Sequence, residues 1–163
     1  IFCREKMVEP RNYDRHRSEL RRRYLSSVTS EQKPVGTGGV DHLALISSDL
    51  SATIEFYTEV LKMRLTQIVA NRDDSTSTHI FFDMGGGNSL AFFDFPKHGS
   101  EPTVRGIGSM HHVALKATQV GFDELIVRLN TMGISYSLHG TVEKGSVYLR
   151  DPDNIQVEIT TGY

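Results

Sequence analysis

The apolar positions of this chain change period in a fixed order. Val40-Asp-His42-Leu-Ala-Leu-Ile46 alternates with period two. Leu43 and Leu45 therefore share one face of a strand, while Val40, His42, Ala44 and Ile46 share the other. Ser48 or Asp49 is placed to cap a helix, in which Leu50, Ile54, Tyr57 and Leu61 recur at helical spacing. Strands are predicted at about 64–70, 79–84 and 89–95, divided by the polar stretch 71–78 and the turn Gly85-Gly-Gly-Asn88. Residues 96–102 read as linker. The order so far is strand, helix and three strands.

That order then repeats. Met110-His-His112-Val-Ala-Leu115 matches Val40-Asp-His42-Leu-Ala-Leu45 at an offset of 70. A helix carrying Phe122, Leu125, Leu129 and Met132 stops at Gly133, and its Met132 matches Met63 at an offset of 69. Strands follow at about 134–138, 146–150 and 155–160, with Phe82 matching Tyr148 and Phe92 matching Glu158 at an offset of 66. The reading is an α+β fold of two paired βαβββ modules. One helix covers only one side of each sheet, so the two open faces are expected to meet around a shared cavity. Module one spans about 38–95, the linker 96–107 and module two about 108–161. Residues 1–37 form a separate, helical extension, with Tyr13, Leu20, Tyr24 and Val28 packing on the domain or on a second subunit.

Composition narrows the function classes. The formal net charge of −2 advertises neither a nucleic-acid nor a membrane surface. No apolar run approaches the roughly 20 residues of a membrane span, and the first residues lack the continuous apolar core of a signal peptide. A single cysteine, Cys3, excludes an intrachain disulfide and suits a reducing, cytoplasmic setting. Residues 1–33 carry nine basic side chains against five acidic ones. The acids are interleaved, as on a solvated helix face.

The repeat gives the histidines their meaning. His42 and His112 occupy equivalent places on the first strands of the two modules and point away from the faces of Leu43/Leu45 and Val113/Leu115. In the last strand Ile155, Val157 and Ile159 alternate with Gln156, Glu158 and Thr160, which turns the Glu158 carboxylate toward the same cavity side. Two imidazoles and one carboxylate leave coordination positions open for substrate, a set suited to non-haem Fe(II) and acceptable to zinc, manganese or nickel. His111 points the other way by the same alternation and reads as structural.

The stretches Val40-Asp-His42-Leu-Ala-Leu, Phe56-Tyr-Thr-Glu-Val-Leu-Lys-Met63, Met110-His-His112-Val-Ala-Leu and Val147-Tyr148-Leu-Arg-Asp151-Pro-Asp-Asn154-Ile-Gln-Val-Glu158 resemble the vicinal oxygen chelate superfamily. That is the glyoxalase, bleomycin resistance and dioxygenase group, and the resemblance covers about 38–161. It implies a cupped sheet around one divalent metal held by His42, His112 and Glu158. Glyoxalase-type isomerases add a glutamate on the last strand of the first module, at the position read here as Phe92. A three-ligand site resembles extradiol dioxygenases and thiol transferases. The extradiol signature is matched by His139, Tyr148, Asp151-Pro152 and Glu158. It departs at Ser137 and at Asn154, a residue that tolerates left-handed backbone.

The resemblance then implies an Fe(II) dioxygenase acting on a catecholic or other vicinal-oxygen substrate. Tyr148 and His139 would serve its chemistry, Phe81, Phe82, Phe92, Phe93 and Phe95 would line the site, and the protein would be a homodimer. The acid–base histidine that such enzymes carry on the last strand of module one is missing, and His98 lies just past that strand. Alternatives are isomerase, epimerase or thiol-transferase chemistry on the same metal, or a non-catalytic binding protein. Tyr148 faces the cavity only if the turn after it holds five residues, 151–155. A four-residue turn would set it opposite Val157.

Overall fold

The structure, a computed structural model, describes residues 13–25, 38–97, 99, 101–141 and 143–162. The chain divides after Gly39 into two compact units. In the first, α1 (Tyr13–Leu20) runs on as a π-helical turn, Arg21–Leu25, and contributes no buried residue. Cys3, Val28 and His98 lie outside the described residues.

The second unit runs β1 (His42–Ile46), α2 (Leu50–Glu55, continued as π-helix over Phe56–Val60), β2 (Leu65–Ala70), β3 (Thr78–Gly85) and β4 (Asn88–Phe93). It then runs β5 (Val113–Lys116), α3 (Gln119–Met132), β6 (Ser137–Gly140), β7 (Gly145–Arg150) and β8 (Gln156–Thr160). Two four-stranded mixed sheets result, ordered β1-β4-β3-β2 and β5-β8-β7-β6. In each, the first strand lies parallel to the last and the other pairs are antiparallel. The βαβββ unit is therefore present twice. No described helix is long and apolar enough to cross a membrane.

Local chemistry sets the helix ends. The Asp49 carboxylate accepts from the backbone N–H groups of Ser51 and Ala52 and so starts α2. Thr118 caps α3 through Gly121 N–H, and Gly133 closes it with φ +66°, a conformation that favours glycine. The stripe of α3 buries Phe122, Leu125 and Leu129, each contributing about 1.5–3 kcal/mol relative to exposure. Met132, expected in that stripe, is 50% exposed. Ile134 and Tyr136, just past the Gly133 turn, pack against the core instead.

Tyr57 on the α2 segment is fully buried, its ring centroid 5.2 Å from that of Phe82 and 5.0 Å from that of Phe92. Its hydroxyl donates to Asp151 of module two at 3.1 Å. Arg128 of α3 donates to the Val60 carbonyl at 2.9 Å, and Ser48 donates to the Asp153 carboxylate. One apolar cluster draws on the helix-facing sides of both sheets. Within a chain the modules thus join on their helix sides. The opposite faces, expected to meet around a cavity, carry exposed residues in module one: His42, Ala44 and Ile46.

Candidate metal centre

The turn between β7 and β8 decides which side chains can meet. Asp151 N–H donates to the Ile155 carbonyl, while its own carboxylate oxygen Oδ1 accepts from Asp153 N–H at 3.0 Å and Ile155 N–H at 2.8 Å. Asn154 takes the left-handed conformation, φ +63°, which asparagine tolerates better than most residues. The turn therefore holds residues 151–155 and Arg150 pairs with Gln156. In that register Tyr148 lies directly opposite Glu158. Val147, Leu149, Val157 and Ile159 then face the core.

Burial makes the Asp151 carboxyl hard to ionise and pushes its pKa up to about 6, against the opposing hydrogen bonds from Ile155 and Tyr57. Burial, then the Asp151 charge, likewise raises the Tyr57 phenol. Both groups belong to the helix-side joint between the modules.

On the other side of the second sheet Glu158 is fully buried. Burying a carboxylate costs several kcal/mol unless a partner compensates. Here His112 Nε2 lies 2.9 Å from Glu158 Oε2. The Tyr148 ring stands edge-on to His112 at 5.8 Å between centroids and to His139 at 5.2 Å. Four of the five residues singled out in the sequence thus form one cluster. A cavity of about 210 Å³ opens beside it, lined by His139, Lys144, Ser146 and Tyr148.

His42 is not part of that cluster. It lies on the open face of the first sheet, 6.3 Å from His79 and 5.9 Å from Phe81 between ring centroids. Among the described residues no group of three metal-ligating side chains converges within the chain. His79 is a residue the sequence reading passed over. It stacks on Phe93 at 3.6 Å, and its Nε2 is buried with no hydrogen-bond partner. Burial, then the neighbouring His42, lowers its pKa. Alternation would have found it, because His79 and Phe81 face away from Ile80 and Phe82.

The strand registers correct the repeat. Ala44 pairs with Ala91 as Ala114 pairs with Glu158, and Phe81 pairs with Ala91 as Tyr148 pairs with Glu158. The counterpart of Glu158 is therefore Ala91, not Phe92, and that of Tyr148 is Phe81, not Phe82. Phe82 and Phe92 are core residues at 0% exposure. They do not line the open face, where Phe81 and Phe93 contact His79. Ala91 supplies no metal-binding atom, so the first module still lacks a carboxylate at this place.

The donor set of module two is compatible with a divalent ion. His112 Nε2 and Glu158 Oε2 stand 2.9 Å apart, close enough for both to reach one ion. An imidazole and a carboxylate suit Fe(II), Mn(II) and Zn(II) alike.

Comparison with known proteins agrees with this architecture. The model of the Glyoxalase/Bleomycin resistance protein/Dioxygenase superfamily matches residues 39–159. MhqE of Bacillus subtilis (strain 168), which carries the name of a ring-cleaving dioxygenase, is 28% identical over 118 residues, 69% of this chain. The matched segment spans only 38% of that protein's length. Virulence protein STM3117 of Salmonella typhimurium is 30% identical over 128 residues, covering 74% of this chain and 82% of that protein. A crystal structure of the fosfomycin resistance protein FosX from Listeria monocytogenes, complexed with Mn(II) and a dihydroxypropylphosphonic acid, superposes with TM-score 0.59 at 23% identity. It covers 78% of this chain and 94% of that one. Two βαβββ modules, matched by the family model over nearly the whole second unit, make the chain a member of the glyoxalase/bleomycin resistance protein/dioxygenase superfamily.

Proposed function

We propose that this protein is a metal-dependent enzyme of the dioxygenase type, acting on a small aromatic substrate with two vicinal oxygens. The observation that carries the reading is the pairing of Tyr148 with Glu158 across β7 and β8, with His112 and His139 on either side of the Tyr148 ring. His112 and Glu158 hold the metal in this reading. His42 of a second copy completes the set, because within one chain His42 sits on a separate, exposed sheet face. The site then belongs to a homodimer whose open faces meet.

Bound there, Fe(II) would supply a Lewis-acidic centre with positions open to two neighbouring oxygens and to O₂. The chain's own groups do the rest. The Tyr148 hydroxyl donates a hydrogen bond to an oxygen of the bound reactants. The His139 ring, which lines the adjoining cavity, takes up the proton that a substrate hydroxyl releases. Phe81 and Phe93, brought by the second copy with its His42, give the aromatic ring an apolar wall.

The test is aerobic incubation of Fe(II)-loaded protein with a panel of catechols, followed by absorbance of the yellow ring-opened product. Turnover of at least one catechol, abolished in Glu158→Ala, is the expected result. Full metal loading without turnover on any catechol would refute ring cleavage and pass the site to isomerase or thiol-transferase chemistry.

A further inference from the structure

We infer that the residue preceding each ligand histidine, Asp41 before His42 and His111 before His112, is a positioning residue. It holds the ring by Nδ1, so that Nε2 is the atom offered to the metal. The inference rests on the metal reading above and goes beyond it by assigning two residues outside the ligand set. In module one Asp41 Oδ1 lies 2.7 Å from His42 Nδ1. In module two His111 Nδ1 lies 2.6 Å from His112 Nδ1. The two modules place different residue types at the same step of the chain and reach the same ring atom.

Strand geometry makes this arrangement informative. Neighbours on a regular strand point to opposite faces, so a contact between adjacent side chains marks the end of a strand. Asp41 immediately precedes β1, and His111 and His112 both precede β5. The alternation that made His111 look structural stops short of it.

The chemistry is specific. A neutral imidazole carries one N–H, and an ionised carboxylate can only accept. Asp41 therefore selects the His42 tautomer with its proton on Nδ1 and its lone pair on Nε2. With a metal taking the His112 Nε2 lone pair, the His112 proton sits on Nδ1, and a neutral His111 protonated on Nε2 accepts it at its own Nδ1. Glu158 Oε2 already stands by the Nε2 of the His112 ring. Asp41 and His111 are both exposed, so their contacts add little to folding. Their effect should appear at the metal, where partners of this kind typically change affinity 10–100-fold.

The experiment compares wild type, Asp41→Ala, His111→Ala, Glu158→Ala and the conservative Asp41→Asn and His111→Asn, each of which keeps an accepting oxygen. Zinc affinity is measured by competition with a chromophoric chelator. Ring nitrogens of the ¹⁵N-labelled, zinc-loaded proteins are read by NMR. In wild type, zinc should bind both Nε2 atoms and each Nδ1–H should exchange slowly. Asp41→Ala and His111→Ala should speed exchange at His42 and His112 respectively and weaken zinc 10–100-fold, with metal-free melting unchanged. The asparagine variants should recover affinity to within a few-fold.

If Glu158→Ala abolishes binding while both alanine variants stay within twofold of wild type, the positioning role is wrong and the metal site stands. Coordination through Nδ1 would overturn it equally. Absence of zinc uptake by wild type would overturn the metal reading and this inference together.

Discussion

Asp151→Asn tests the joint between the modules and the energetics of its buried carboxyl. Asp151 is 5% exposed, and its pKa rises from 3.8 to about 6 because the charged form is desolvated. The folded state thus holds the proton more tightly than the unfolded chain. The contribution of this group to stability is fully present below pH 3.8 and is lost as pH rises through 6. The gap corresponds to about 3 kcal/mol, of which about 1 is already lost at pH 4.5.

Asparagine has the shape of the neutral acid, and its oxygen can still accept from Asp153 N–H and Ile155 N–H. Urea unfolding of chelated protein should therefore show the variant gaining about 2 kcal/mol on wild type between pH 4.5 and 7.5. A variant-minus-wild-type difference that stays flat over that range would refute the claim that desolvation dominates at Asp151.

Other predictions concern single contacts. Gly145→Ala would place a Cβ 2.3 Å from the Thr141 carbonyl oxygen and 2.6 Å from that of His139. No flexible side chain can yield there, so the midpoint of thermal unfolding should fall by about 5–10 °C. Tyr148→Phe keeps the ring and loses the hydroxyl. Metal content should match wild type in elemental analysis, while kcat for whichever catechol is cleaved falls by about 10²-fold or more.

The sequence made the paired modules legible because alternation and helical spacing recur in the same order, and burial alternates along the first strand of each sheet. Glu158 was legible for the same reason, facing away from the core positions of β8, while His112 sits just before β5 and still reaches that carboxylate. The pairing of Glu158 with Phe92 failed by one residue. An offset counted along the chain cannot reveal a loop that differs in length by one, whereas β1–β4 and β5–β8 pairing can. His79 lies on β3, not on the last strand of module one, and only strand pairing shows that its partner Phe93 sits there. Where His42 stands relative to Glu158 was beyond the pattern altogether. It depends on the joint around Tyr57 and Asp151, which turns the helix sides of the two modules toward each other.

In the proposed dimer, His42 of one copy and His112 with Glu158 of another hold one metal. Mixing His42→Ala with Glu158→Ala protein and allowing subunits to exchange tests it most directly, with bound Fe(II) or Zn(II) measured per chain. Each variant alone should bind almost none. The mixture should recover about a quarter of wild-type content, since half the dimers would be mixed and each would hold one intact site of two. Subunit exchange without any recovery of metal would contradict a site shared in this way.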